Sequence, residues 1–288
     1  MKQPHASVRD VNFWRSPLCP GVELRHASYR RQTFHRHSHP TYSLGIVLRG
    51  VTEFVYRGQR QRAQAGDLVL IAPDEVHDCN PFGDEPLAYW MFYLDAALLG
   101  APAQICFDRA VYREPALFAL WLHQAQGLRE WCETQNATLA QTWRQSLDAL
   151  WQQTRQAWPS ATALGAAGQP EPAPWLRQVR RQLRADLSQP LALQELSARV
   201  GISPSHLNRR FGAEVGLPPH RYQLQLRIEA AKAKLAAGEP IVQVAADLGF
   251  SDQSHFTRLF TRIVGATPST SRTDSRTTWS LPPREKLS

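Results

Sequence analysis

One pattern written twice constrains this chain more than anything else in it. Leu193-Gln-Glu-Leu-Ser-Ala-Arg-Val-Gly-Ile-Ser203 recurs 48 residues later as Ile241-Val-Gln-Val-Ala-Ala-Asp-Leu-Gly-Phe-Ser251, with Ala198 on Ala246, Gly201 on Gly249 and Ser203 on Ser251. Each copy reads as a short amphipathic helix, a turn whose glycine accepts a left-handed backbone, and a serine that caps a second helix. Two helices joined in this way make a helix-turn-helix, so the chain carries a pair of them.

The second helix of each copy keeps one face apolar and leaves the other free. In the first copy Ser203 caps, Pro204 sits where a missing N–H costs nothing, and Leu207, Phe211 and Val215 repeat on the inward face. Ser205, Asn208, Arg209 and Gly212 share the outward face, with amide and guanidinium groups suited to adenine and guanine edges. In the second copy Ser251 caps, Asp252 suits the positive helix start, and Phe256 and Phe260 face inward. That leaves Gln253, Ser254, His255 and Arg258 outward. Between the copies Leu224, Ile228, Ala231 and Leu235 stand at helical spacing, stopped by Gly238 and Pro240. One long helix therefore sets the distance between two readers, which must lie about 34 Å apart to enter one face of a duplex.

Charge follows the same division. Residues 175–272 hold 14 Lys/Arg against 7 Asp/Glu, so +7 of the chain's +8 lies there, while residues 1–174 hold 16 of each. A basic segment suits phosphate and a neutral one suits another task. The length of 288 residues, 43% of them hydrophobic, allows a core for each of two domains.

With these residues in view, 175–272 resembles the DNA-binding domain of the AraC/XylS family of bacterial transcription regulators. The signature is carried by Gly249-Phe-Ser-Asp-Gln-Ser-His-Phe256, Phe260 and Gly265-Ala-Thr-Pro-Ser269. The resemblance implies base-facing positions at Ser205, Asn208, Arg209, Gln253, Ser254, His255 and Arg258. It also implies operator DNA, RNA polymerase and a second copy of the chain as partners. The chain departs from the family at Leu259 and Thr261, where basic residues are usual, and at Ser271, often aromatic.

From Val22 to Leu94 the pattern changes to short β-rich runs: Val22 to Tyr29, Thr41 to Leu48, Thr52 to Tyr56, Asp67 to Ile71 and Leu87 to Leu94. Turns fall at Gly50, Arg57-Gly58, Ala65-Gly66 and Asn80-Pro-Phe-Gly83, as an all-β barrel requires. His37, His39, Ser43 and Gly50, then Gly66 to Pro73 with His77 and Asn80, resemble the two motifs of the cupin barrel, the sensor domain that many members of the family carry. Three imidazoles could ligate zinc or iron. Yet Ser43 stands where a metal-binding cupin has glutamate. That absence, and the regulator setting, favour an organic effector held by hydrogen bonds at His37, His39, Tyr42 and His77, without metal or cofactor. Trp90 and Tyr93 read as barrel core, as Tyr42 does in the alternative to a place on the pocket wall, and His35 reads as a surface residue.

Glu114 to Trp158 turns helical, and its run of Leu139, Trp143, Leu147 and Leu150 fits either a partner helix in a dimer or packing within the chain. Residues 159–174, rich in small residues and proline, read as a flexible linker, and 273–288 as a disordered tail. Cys19, Cys79, Cys106 and Cys132 lack paired spacing and suit reduced thiols, and neither a signal peptide nor a membrane-length apolar run is present. The expectation is a cytoplasmic α+β multidomain protein. Residues 1–158 form a cupin-like barrel with following helices that binds effector and dimerises, and 175–272 form an all-α double helix-turn-helix domain. Such a chain is a ligand-responsive transcription regulator, activator or repressor, and not an enzyme. The alternative is a metal-dependent cupin enzyme with a nucleic-acid anchor.

Overall fold

Alternation with a period of two builds the N-terminal half. The computed structural model describes residues 10–16, 19–30, 34–99, 104–134, 137–158, 162–164, 173–190 and 192–272. In chain order the strands are β1 (Asp10–Trp14), β2 (Val22–Tyr29), β3 (Tyr42–Arg49), β4 (Val51–Tyr56), β5 (Gln59–Gln64), β6 (Leu68–Ile71), β7 (Asn80–Phe82), β8 (Leu87–Leu94), β9 (Gln104–Cys106) and β10 (Val111–Tyr112). Helices α1 (Pro115–Thr134) and α2 (Ala137–Ala157) and strand β11 (Thr162–Leu164) follow. A six-stranded sheet runs in the order β1-β2-β8-β3-β6-β10, and a three-stranded sheet in the order β5-β4-β7.

Successive residues of a strand point to opposite faces, and here each face has its own destination. Leu24, Tyr42, Leu44, Trp90, Phe92 and Leu94 face α1 and α2, where they share one core with Trp121, Trp131, Leu147 and Trp151. Residues of the other parity, Ser43, Gly45, Tyr89, Met91 and Tyr93 among them, line the barrel interior. In α2, Trp143, Leu147, Leu150 and Trp151 are buried in their own domain, while Leu139 is exposed. Of the two uses open to that run, packing within the chain takes most of it.

Several elements differ from the sequence expectation, among them β1, β9 and β10, which lie outside the five expected strands. Gln59–Gln64, a polar run, pairs with β4 along its whole length; Ala63 is buried in the core, and Arg60 and Arg62 bond Glu53 on β4 at 2.6 and 2.9 Å. Asn80–Phe82, expected as a turn, pairs with the other edge of β4. Of residues 159–174, Thr162–Leu164 pairs with β9 rather than standing free, while 159–161 and 165–172 lie outside the described residues, as does the expected tail 273–288.

The C-terminal half is helical: α3 (Pro174–Ala185), α4 (Leu193–Val200), α5 (Pro204–Val215), α6 (Pro219–Ala236), α7 (Ile241–Asp247), α8 (Gln253–Val264) and α9 (Pro268–Ser271). Helices α4 and α5 form the first helix-turn-helix and α7 and α8 the second, with α6 between them. Gly201 and Gly249 both take left-handed backbones at the turns, with φ of 68° and 67°. At Gly249 a Cβ would lie 1.8 Å from the Ser188 carbonyl oxygen, so no side chain fits. Ser203 caps α5, accepting from the His206 N–H at 3.3 Å. In the second copy the cap is Asp252 and not Ser251: the chain stays extended one residue longer, and the Asp252 carboxylate accepts from the His255 N–H at 2.7 Å. A carboxylate at the positive helix end is the stronger acceptor there.

The first helix-turn-helix closes around Val179, Leu196, Leu207 and Phe211. The second does not close alone. Its Ile228, Val244, Phe256 and Phe260 share one core with Val11, Ala27, Tyr29 and Phe34 of the barrel.

Candidate functional site

The second helix of each helix-turn-helix presents its polar face outward while its apolar face is held. Leu207, Phe211 and Val215 are buried along α5, and Phe256, Phe260 and Val264 along α8, the same i, i+4, i+8 spacing in each. Ser205, Asn208, Arg209, Gln253, Ser254 and Arg258 are exposed. His255 differs, since it is half-buried, with Nδ1 3.0 Å from Ser251 Oγ and its ring against Phe250. A basic cluster not singled out in the sequence, Arg177, Arg180, Arg181 and Arg184, lines a groove on α3. Its helical spacing was the available signal.

The second feature is a cavity inside the barrel. His37 and His77 face each other through a backbone bridge, each N–H donating to the other's carbonyl at 2.9 and 2.8 Å. His39 packs onto both, and the three ring centres lie 4.6, 4.9 and 5.4 Å apart. The expected trio is therefore assembled. Tyr42 is not part of it: β3 alternates, Ser43 faces the cavity, and Tyr42 faces the helices against Phe107 and Trp151. Tyr93, paired with Ser43 across the sheet and expected as core, takes the place at His39 with ring centres 4.8 Å apart.

The cavity's roof comes from the other half of the chain. Glu229 and Lys232 of α6 and Ile263 and Val264 of α8 line it together with Glu23 and Arg25 of β2. Sequence reading missed these residues because they converge from segments about 200 residues apart. The cavity's volume is about 60 Å³. A pocket for a drug-sized molecule needs roughly 300–1,000 Å³.

Charged groups cross this junction as a chain. Arg15 Nε donates to Glu23 Oε2 at 2.6 Å, Lys232 Nζ lies 3.6 Å from Glu23 Oε1 and donates to Glu229 Oε2 at 3.3 Å, and Glu229 Oε1 accepts from His39 Nδ1 at 3.2 Å. Burial pushes the Glu229 carboxyl up, but Lys232 and His39 outweigh it and hold it at about 2. Burial disfavours the Lys232 ammonium as well, yet Glu229 and Glu23 raise its pKa. Burial, reinforced by His39, brings His77 down to about 3, and burial with His77 and His39 lowers His37, so both are neutral near pH 7.

Arg25 stands apart from that chain. It is buried, donates to Tyr29 Oη and lies among Phe13, Tyr29, Phe34 and Tyr89, without a carboxylate ion pair among the described residues. Tyr29 Oη in turn donates to the Gly265 carbonyl at 3.1 Å, which joins β2 to the end of α8. Ser38 N donates to Gln225 Oε1 at 3.0 Å, and Gln225 Nε2 to Ser38 Oγ at 2.8 Å. The Ser43 hydroxyl, on the cavity wall, is buried without a hydrogen-bond partner among the described residues.

Comparison with known proteins agrees with the division into two domains. A family model described as an AraC-like ligand binding domain matches residues 20–167, and a helix-turn-helix domain model matches residues 196–274. The transcriptional activator RhaR of Klebsiella pneumoniae is 28% identical over 263 residues, covering 86% of this chain and 90% of its own. An uncharacterised helix-turn-helix regulator of Bacillus subtilis, YbfI, is 26% identical over 227 residues, covering 78% and 82%. LumQ of Photobacterium leiognathi, a probable transcriptional regulator, is 35% identical over 83 residues, only 28% of this chain and 34% of its own. Among solved structures, unsaturated fatty acid-bound ToxT of Vibrio cholerae has the same fold, with a TM-score of 0.58 at 11% identity over 91% of this chain and 99% of that one. Among the described residues no helix is long and apolar enough to cross a membrane. The chain belongs to the AraC family of DNA-binding transcription regulators, with a ligand-binding domain ahead of its helix-turn-helix pair.

Proposed function

We propose that this regulator senses a small organic anion in the barrel cavity and that effector binding competes with docking of the DNA-binding domain. The observation that carries the reading is the shared roof: α6, which sets the spacing of the two readers, and α8, itself a reader, form one wall of the cavity. The space beneath it is only about 60 Å³, well below the several hundred Å³ of an ordinary ligand pocket, so a bulky effector favours a displaced wall. A ligand shifts an equilibrium only through its different affinity for the two states, and in this reading it binds the undocked state better.

The anion follows from Arg25, a buried cation without a carboxylate partner among the described residues. Val47, Val69, Leu87 and Met91 give the opposite wall an apolar surface, suited to an acid group on an apolar body. The bound unsaturated fatty acid of ToxT has that division. His37, His39 and His77 complete the polar end.

Seven residues read the operator in this proposal: Ser205, Asn208, Arg209, Gln253, Ser254, His255 and Arg258. The chain acts in the cytoplasm as a homodimer, contacts RNA polymerase and catalyses no reaction. Supporting the absence of catalysis, the carboxylate bonded to His39 belongs to the DNA-binding domain and is also engaged by Lys232.

A thermal-shift series of organic acids on the full chain tests the effector. A true ligand at a hundred times its Kd adds about 2.7 kcal/mol of stability. The same acid should change operator affinity in a fluorescence-anisotropy titration, and Arg25→Met should abolish both effects. An acid that stabilises the protein but leaves hydrogen exchange across α6 and α8 unchanged would refute the competition.

A further inference from the structure

We propose that His37, His39 and His77 form a binding site for a divalent transition-metal ion of the zinc class through their Nε2 atoms, with Glu229 of the DNA-binding domain orienting His39 from outside the ligand set. This rests on the reading of the cavity as the effector site and specifies what lies at its polar end.

The tautomers carry the argument. His37 Nδ1 lies 2.7 Å from the His35 carbonyl oxygen, His77 Nδ1 lies 2.9 Å from that of Glu75, and His39 Nδ1 lies 3.2 Å from Glu229 Oε1. Carbonyl and carboxylate oxygens only accept, so each Nδ1 carries a proton, and each ring in its neutral form then has its lone pair on Nε2. A metal-ligating histidine has this arrangement, with the nitrogen away from the metal donating to a backbone carbonyl or a carboxylate. Here all three have it, two through their own chain two residues back and one through a carboxylate from another domain.

Spacing agrees with the chemistry. One ring nitrogen of each histidine lies within 4.8 Å of the other two. Tetrahedral ligation at about 2.0–2.1 Å puts ligand nitrogens roughly 3.4 Å apart and the ring centres about 5 Å apart. The observed ring centres, 4.6, 4.9 and 5.4 Å apart, already match, so rotation of the rings in place closes the remaining distance. Three imidazoles suit zinc, with a fourth position left for water or for an acid oxygen of the effector. The unpartnered Ser43 hydroxyl on the same cavity wall is placed to bond that fourth ligand. Because Glu229 sits on α6, bound metal also strengthens the tie between the barrel and the reader domain.

The test uses the full chain loaded with Zn²⁺ or Co²⁺. We expect one metal ion per chain after gel filtration, the intense visible absorption of four-coordinate Co²⁺, and a zinc-edge X-ray absorption spectrum with imidazole nitrogens at about 2.0–2.1 Å. His77→Ala should lose the ion, while Glu229→Gln should keep it with about 10- to 100-fold weaker affinity. Failure of the wild-type chain to retain metal, or equal retention by His77→Ala, overturns the proposal. Should His77→Ala fail to fold, a wild-type zinc spectrum without imidazole ligands overturns it instead. An organic acid that controls DNA binding in a chain that takes up no metal sinks this inference and leaves the effector reading standing. Stoichiometric metal at the histidines, with no response to any organic acid, does the reverse.

Discussion

Glu229 accepts from His39 Nδ1 at 3.2 Å, a bond between residues 190 positions apart. It ties α6, which joins the two helix-turn-helix units, to the histidine cluster of the barrel. With Lys232 bridging Glu229 and Glu23, the barrel and the helix-turn-helix domain share one set of charged side chains.

Arg209 stands exposed on the outward face of α5, one turn beyond Ser205. Arg209→Ala should cost about 1–3 kcal/mol on operator DNA and relax specificity at one base pair. Anisotropy titrations against operator and random duplexes check this, and equal losses on both would reduce Arg209 to a phosphate contact.

Gly265 closes α8 with a φ of 75°, and a Cβ there would lie 2.6 Å from Phe34 and 2.8 Å from Tyr29 Oη. Gly265→Ala should therefore loosen the junction between the domains as well as strain the helix end, at a cost of at least about 1–2 kcal/mol. Faster hydrogen exchange in β2 and α8, with the first helix-turn-helix unaffected, is the expected signature. Uniform exchange throughout the C-terminal half would contradict it.

Acid should weaken the same junction. Burial pushes the Glu23 carboxyl up, but Lys232 and Arg15 outweigh it, so its pKa lies below the ordinary 4.5. Its charged form thus contributes stability that is fully present above about pH 4.5 and is lost as pH falls through the depressed folded value. Glu23→Gln should be less stable than wild type at neutral pH, and the gap should narrow below pH 4.5. Comparing melting curves of the two proteins isolates Glu23 from the buried histidines, whose protonation on unfolding affects both alike.

A fragment beginning at Trp175 should bind DNA with steep salt dependence, since it carries +7 over residues 175–272. It should not be uniformly stable. The first helix-turn-helix keeps most of its core, whereas the second loses Tyr29 and Phe34 and uncovers part of its apolar surface. Hydrogen exchange should accordingly be faster in α7 and α8 than in α4 and α5. Equal protection of both pairs would mean that the barrel contributes nothing to the second core.

His37→Ala should leave operator binding intact and remove the response to effector, because its side chain lies within the barrel and the reader faces do not touch it. Loss of folding, read by circular dichroism, would make His37 a core residue alone. Since His37 is buried against His39 and His77, Tm is measured alongside the response.

What the sequence by itself determined rests on short-range rules. The paired helix-turn-helix units, their turn glycines, the inward Leu207, Phe211, Phe256 and Phe260, and five of the barrel strands follow from periodicities of 3.6 and 2 and from capping chemistry, each confined to a dozen neighbouring residues. The convergence of His37, His39 and His77 was legible through motif spacing, and the structure places them together. Tyr42 and Tyr93 exchanged roles because the parity of a strand names two faces without saying which one meets the helices, and only the packing of α1 and α2 on one side decided that. The polar strand Gln59–Gln64 was hidden because it is held by pairing with a strand, and Ala63 alone of its residues is buried in a core. Docking of the two domains lay beyond any local rule. Glu23, Arg25, Glu229, Lys232 and Gly265 look like ordinary surface and cap residues in the chain, and they become one junction only because the tertiary structure buries charges from distant segments where each must find the other.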